Sequence, residues 1–443
     1  MNSNEKLTTL LPTTTEDVNK KSLDYSLFTW VAQETANPIA VKDAEGCYFW
    51  DYDGNKFFDL SSQLICSNIG HKNKKVLNAI KTQVEKLAYI KPQFTSDIRG
   101  ALAEKIIKDF APDNMGKVMF SLGGAESNEY AIRMAKVATG RTKIFSQYNS
   151  YHGATYGAAN LCGEVHRNVS DPQIAGFIHF HGPNWLDTLD IKFESEEAKT
   201  KFLLDTLEDQ LIFEGPNKVA AIFFEAMTGG NGCIVPPKGY YKGVRELCDK
   251  YGIIFVADEV MAGFGRTGKK FCMDYFDVKP DMITFAKGVT SGYLPFGGVI
   301  LNKELSSFFD KIGVPIGCTY NSHPVCCAAA LATLEVYEEE NLIDNCYNMG
   351  KLVEEGLATL IKKHPSVVEQ RGLGLLRCYV MADKLRTNEY QDLILQKYRD
   401  RGYSTFGRQG TLMIAPPLIV TKEEIEEIIN ITDEILTEMD ELM

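Results

Sequence analysis

The sequence has no concentrated basic stretch, no long apolar run and no paired-cysteine spacing, and each absence removes a class of function. Its 47 Lys and Arg are outnumbered by 59 Asp and Glu, giving a net charge of −12. Without a basic face there is nothing to hold a phosphate backbone, which excludes nucleic-acid binding. Apolar runs such as Val219-Ala220-Ala221-Ile222-Phe223-Phe224 fall far short of the ~20 residues that a bilayer span needs. The opening Met1-Asn2-Ser3-Asn4-Glu5-Lys6 lacks the apolar core of a signal peptide. The 11 cysteines are scattered, odd in number and never spaced C-x-x-C. They read as reduced, mostly buried thiols of a cytoplasmic protein, and no metal is expected. Cys326-Cys327, beside an alanine run, reads as helix packing.

What is present is ordinary globular composition, 44% hydrophobic and 24% charged. A chain of 443 residues exceeds one typical core, so a large domain and a smaller one are expected. Residues 1–24 read as a polar, partly disordered segment. "CYFWDYDGNKFFDLSS" reads as a hairpin turning at Asp53-Gly54. It falls within residues 25–75, the N-terminal part of a small domain. Over residues 76–334 helical periodicity alternates with short apolar runs: "KVMFSL", "TKIFSQ", "AGFIHF", "VAAIFFEA", "GIIFVADEV" and "DMITFAK". That alternation predicts an α/β domain, a large, mostly parallel sheet covered by helices. Residues 335–443 read as the rest of a smaller α+β domain, packed with the hairpin. Its last helix opens on a capping box, Thr421 and Glu424.

Two charged residues interrupt this pattern. Asp258 ends the apolar strand "IIFVAD", and Lys287 ends the next one, "MITFAK". Taken singly, the aspartate could cap a turn and the lysine could carry its charge out to water. In an α/β sheet, however, ligands bind at the carboxyl ends of the strands, so both can face one pocket. A lysine and a carboxylate are the pair that a pyridoxal phosphate site requires. The amine forms a Schiff base with the cofactor aldehyde, and the carboxylate keeps the pyridine nitrogen protonated. The freed lysine can then shuttle a proton. "SLGGAESNEYAIRMAK" supplies a phosphate cradle, glycines opening a helix. Tyr151, in "NSYHGAT", offers a ring-stacking partner, with His152 beside it.

"FFEAMTGGNG", "FVADEVMAGFGRTG", "ITFAKG" and "TYNSHPVCCAAALATLE" stand in the order and spacing of the class III pyridoxal-phosphate aminotransferases, and the chain resembles that family from about residue 28 onward. The resemblance implies fold type I, with Lys287 as the Schiff-base lysine and Asp258 on the pyridine nitrogen. It implies Tyr151 and Val260 on the two ring faces, His152 close by, and Gly124 and Ala125 at the phosphate. Thr319 would reach that phosphate from the partner subunit of a homodimer with shared sites, which could associate further into a tetramer. Glu225 matches a carboxylate near cofactor and substrate. The family often has serine where this chain has Ala125, so weaker cofactor retention is expected. Aminomutases and decarboxylases share the same core, so the motifs favour transamination without proving it.

The N-terminal stretch "LFTWVAQETANPIAVKDAEGCYFWDYDGNKFFDLSSQLICSNIGH" resembles the taurine branch, close also to enzymes for β-alanine, GABA and other ω-amino acids. It puts Trp30, and secondarily Phe28, in the substrate pocket. An acidic substrate group needs a guanidinium. Arg408 is expected to meet the α-carboxylate of a 2-keto acid (pyruvate or 2-oxoglutarate) and Arg167 the sulfonate. Glu225 is expected to neutralise Arg408 when the bound amine has no α-carboxylate. A rival reading comes from "GFGRTG", residues 263–268, which fits the G-x-G-x-x-G of an NAD-binding oxidoreductase. The residues that follow it lack helical periodicity, and the rival leaves Lys287 without a purpose.

Overall fold

A computed structural model of the chain describes residues 11–188 and 191–443. The alternating pattern folds into a seven-stranded sheet. Its strands are β4 (Met115–Ser121), β5 (Lys143–Gln147), β6 (Phe177–Phe180), β7 (Val219–Glu225), β8 (Ile254–Asp258), β9 (Met282–Phe285) and β10 (Gly297–Asn302), in spatial order β4-β10-β9-β8-β7-β5-β6. The six expected runs are all strands, and β7 and β8 are buried along their whole length, as sheet strands covered on both faces must be. The β5–β6, β5–β7, β7–β8 and β8–β9 pairs are parallel; β10 runs antiparallel to both β4 and β9. The carboxyl ends of the other six strands therefore share one edge.

Two smaller sheets come from the ends of the chain. β1 (Val41–Glu45), β2 (Tyr48–Asp51) and β3 (Lys56–Asp59) form an antiparallel ribbon. The Asp51 carboxylate accepts from the Asp53 and Asn55 amides and closes the β2–β3 turn, where Gly54 takes a φ of +88°. The short β13 (Tyr403–Ser404) adds to β3 in parallel, joining N- and C-terminal segments in one sheet. The third sheet is β11-β12-β15-β14, built from Val367–Leu373, Leu376–Met381, Thr411–Ile414 and Gly407–Arg408. The helix Lys422–Asp440 begins at the expected capping box and buries Ile425, Ile428, Ile435, Leu436 and Met439.

One expectation is corrected. Residues 15–25, read as part of a polar segment, form a helix capped by Thr14, with none of its residues buried; residues 1–10 lie outside the described residues. The "GFGRTG" stretch opens no helix, in line with the missing periodicity after it. Instead Arg266 is wholly buried, donating to Leu375 O, Ala415 O, Pro416 O, Ser62 Oγ and Asn68 Oδ1. The glycines let the turn fold tightly around a guanidinium that ties both ends of the chain to the large sheet, and no dinucleotide is needed to account for them. All 11 cysteines are unpaired and eight are buried. Among the described residues no helix is long and apolar enough to cross a membrane.

Candidate active site

The shared strand edge opens into a cavity of about 970 Å³. Its lining includes Gly124, Ala125, Tyr151, His152, Glu225, Asp258, Val260 and Lys287, eight of the nine residues assigned to the cofactor, together with Trp30 and Arg408. Glu225 and Asp258 are cross-strand neighbours at the ends of β7 and β8.

Asp258 is fixed by three donors. Its Oδ2 accepts from His152 Nδ1 at 2.7 Å and from Asn128 Nδ2 at 2.8 Å, and its Oδ1 accepts from the Val260 amide at 3.0 Å. Oδ2 is fully used, while Oδ1 keeps capacity for one more donor facing the cavity. Asn128 is itself locked: its Nδ2 also donates to His152 O at 2.7 Å, and its Oδ1 accepts from the Thr284 hydroxyl at 2.8 Å.

Lys287 follows β9 by two residues and heads a short 3₁₀ turn with φ +45°. A left-handed conformation costs a residue with a β-carbon about 1–2 kcal/mol, the kind of strain that clusters at functional sites. Burial lowers the affinity of its amine for a proton, against the opposing charges of Cys66, Asp258 and Glu225. No protein acceptor pairs with this amine among the described residues. A lysine kept dry, its proton affinity lowered and its amine unpaired, suits a nucleophilic role.

The helix Gly124–Thr139 points its N-terminus into the cavity, where the first-turn amides have no intrahelical acceptor. A β-carbon on Gly124 would lie 2.7 Å from Val260 Cγ1, so glycine is required for the close approach. Ala125 sits against the Gly153 backbone, where a β-carbon on Gly153 would meet its own at 2.5 Å. These residues fit pyridoxal phosphate: amides for the phosphate, one Asp258 oxygen for the ring nitrogen and a free amine for the aldehyde.

Three expectations about substrate contacts come out differently. Arg408 and Glu225 both line the cavity, but Arg408 is paired elsewhere. Its Nη1 donates to Glu164 Oε2 and, at 3.0 Å, to Asn231 Oδ1, and its Nη2 donates to His166 Nδ1 at 3.1 Å. Glu225 is satisfied by the amides of Tyr151 (2.7 Å) and Gly229 (2.8 Å), and burial pushes its carboxyl up to about 7. Arg167 turns away from the cavity, donating to Gly163 O and Glu164 O, with its guanidinium over the Tyr148 ring. Phe28 does not line the cavity either; its backbone is tied to the Gln33 side chain. Trp30 does, edge-on to Tyr151 and to His166. Thr319, expected at a partner's phosphate and not at its own, lies outside this chain's cavity; its carbonyl accepts from the Tyr89 hydroxyl.

Sequence reasoning missed Asn128, Glu164, His166 and Asn231. Asn128 had a signal, since it sits one helical turn after Gly124 and so on the same side as the cradle. The other three had none beyond proximity to quoted motifs.

Residues 30–436 match the family described as aminotransferase class-III. A taurine:2-oxoglutarate aminotransferase from Bifidobacterium kashiwanohense, solved with PLP and glutamate, superposes with a TM-score of 0.94. It is 41% identical and covers 97% of this chain and 99% of its own. A probable gamma-aminobutyrate transaminase of Oryza sativa is 31% identical over 426 residues, 91% of this chain and 88% of that protein. A putrescine–pyruvate aminotransferase of Pseudomonas aeruginosa is 31% identical over 420 residues, 88% and 89% of the two chains.

Proposed function

The chain belongs to the class III aminotransferases, with pyridoxal phosphate as its cofactor, and from that premise we propose that it moves the amino group of an ω-amine, taurine first, to a 2-keto acid, yielding sulfoacetaldehyde and an amino acid. When bound, the cofactor supplies an aldehyde that takes up the nitrogen and a ring that stores the electron pair left by C–H cleavage. The chain's residues do the rest. Asp258, its position fixed by His152, Asn128 and the Val260 amide, holds the ring nitrogen's proton. Lys287, once freed, carries a proton between the substrate carbon and the cofactor. The first-turn amides at Gly124 and Ala125 hold the phosphate, and Tyr151 and Val260 flank the ring.

The choice of taurine is carried by the 41% identity to the taurine:2-oxoglutarate enzyme, set against 31% to the gamma-aminobutyrate transaminase. Arg408, the guanidinium lining the cavity, suits a tetrahedral sulfonate or a carboxylate equally. The gamma-aminobutyrate and putrescine relatives keep a second reading open, an ω-amino acid or diamine donor. We also assign Thr319 to the phosphate of a second copy. The helix Thr15–Tyr25, with no buried residue, and the exposed Leu27, Phe94 and Tyr320 support a homodimer.

The test is the visible spectrum of the holoenzyme with taurine and no keto acid. Loss of the yellow band is expected. A yellow protein bleached by β-alanine or gamma-aminobutyrate but not by taurine would move the donor. A protein that stays colourless with added pyridoxal phosphate would sink the role of Lys287.

A further inference from the structure

Arg408 is held at a dock whose parts differ sharply in freedom. The Glu164 side chain is 4% exposed, Arg408 33% and His166 43%. Asn231 is pinned by reciprocal contacts with Asn149, whose carbonyl accepts from Asn231 Nδ2 at 3.2 Å and whose Nδ2 donates to Asn231 O at 3.4 Å. The Asn231 amide oxygen is thereby turned toward Arg408. Arg408 and His166 are the exposed members of the dock, Glu164 is its buried one, and Asn231 is tied in place by Asn149.

His166 Nδ1 makes two contacts that require opposite forms. It lies 3.1 Å from Arg408 Nη2, a pure donor, and 2.8 Å from Glu164 Oε1, a pure acceptor when ionised. Without a hydrogen on Nδ1, His166 accepts from Arg408. With one, it donates to Glu164 and no longer holds the guanidinium. A buried carboxylate that loses its cation is strongly disfavoured unless another donor replaces it.

We propose that Glu164, His166 and Asn231 form the resting dock of Arg408, and that His166 sets acidic-substrate specificity by replacing Arg408 on Glu164 when Arg408 turns to a substrate carboxylate or sulfonate. The inference rests on Arg408 being the cavity's anion-binding residue. In the exchange Arg408 gives up Glu164 Oε2 and Asn231 Oδ1 and takes the substrate anion. His166 gains a hydrogen at Nδ1, by uptake from solvent or by surrendering its Nε2 hydrogen to solvent in return, and donates it to Glu164 Oε1. Trp30, edge-on to the His166 ring with centroids 4.8 Å apart, limits where that ring can go.

The two partners then act in opposite directions. Glu164→Gln weakens the dock, so it lowers KM for the keto acid severalfold. His166→Phe leaves Glu164 unpaired once Arg408 departs, so it raises KM about tenfold. His166→Gln, which keeps a donor and an acceptor, restores most of the loss. The assay is the keto-acid half-reaction of the holoenzyme in its amino form, with 2-oxoglutarate and pyruvate as probes, alongside thermal melts of each variant. If Arg408→Ala leaves KM unchanged, the reading of Arg408 falls and the dock with it. If Arg408→Ala raises KM, but Glu164→Gln and His166→Phe shift it in the same direction or keep their effects in the Arg408→Ala background, the dock alone is overturned. Should His166→Phe fail to fold, a Glu164→Gln variant that does not lower KM overturns it independently.

Discussion

Asn128→Leu keeps the branched shape of the side chain and removes its hydrogen bonds, which isolates what holds Asp258 in place. Three interactions disappear: Nδ2 to Asp258 Oδ2 at 2.8 Å, Nδ2 to His152 O at 2.7 Å, and Thr284 Oγ1 to Asn128 Oδ1 at 2.8 Å. A hydrogen bond to a charged group contributes about 1.5–3 kcal/mol and a neutral one about 1 kcal/mol. The fully buried Thr284 hydroxyl is left without its acceptor as well. Summed, the apoprotein should lose about 3–5 kcal/mol of stability. Cofactor binding feels only the Asp258 part, so affinity should fall about 10- to 100-fold. Titrating the apoprotein with pyridoxal phosphate by absorbance gives the affinity, and denaturant unfolding gives the stability. An affinity within about twofold of wild type, beside a clear loss of stability, would refute the reasoning. His152 and the Val260 amide would then suffice to orient the carboxylate.

Glu225 predicts a pH dependence. Burial pushes its carboxyl from an ordinary 4.5 up to about 7, against the His152 charge and the amides of Gly229 and Tyr151. A raised carboxyl stabilises the fold while protonated; that contribution is whole below about pH 4.5 and lost as pH rises through about 7, a change of about 3 kcal/mol. Melting of the apoprotein should therefore fall between about pH 5 and 8, and Glu225→Gln should flatten the fall; equal slopes in both proteins would remove Glu225 as its source. Arg266→Lys replaces a planar fork spread over five acceptors with a single ammonium, and should lower the unfolding free energy by about 3 kcal/mol or more. A denaturant midpoint equal to wild type would show that the turn does not tie the two ends of the chain.

What could be read beforehand was whatever violated its own local pattern. Asp258 and Lys287 stand out because each closes an apolar run, and a charge there needs a reason. The strands of the large sheet were readable from the same runs, with one exception. β10 begins at Gly297-Gly298, residues that normally punctuate loops. The structure supplies the reason: a β-carbon on Gly297 would lie 2.6 Å from Phe285 O, and one on Gly298 2.8 Å from Met119 O. The glycines are there because neighbouring strands crowd them, and crowding is not visible in one dimension.

The substrate side of the cavity was unreadable for a related reason. Arg408 is separated from Asn231 by 177 residues and from Glu164 by 244, and the three meet only because separate loops converge at the strand edge. Glu225 was paired with Arg408 in expectation because the guanidinium needs an anion when the bound amine has no α-carboxylate, and a buried carboxylate in turn calls for a cation. That rule has an exit: two well-placed amides satisfy a carboxylate without any cation. Tyr151 N and Gly229 N do so here, and a backbone amide has no signature in the amino-acid sequence. Arg167 errs in the opposite sense, since its guanidinium is drawn to the carbonyls of Gly163 and Glu164 in its own turn. Both errors arise because backbone groups can satisfy a side-chain charge in place of the residue that sequence reasoning assigns to it.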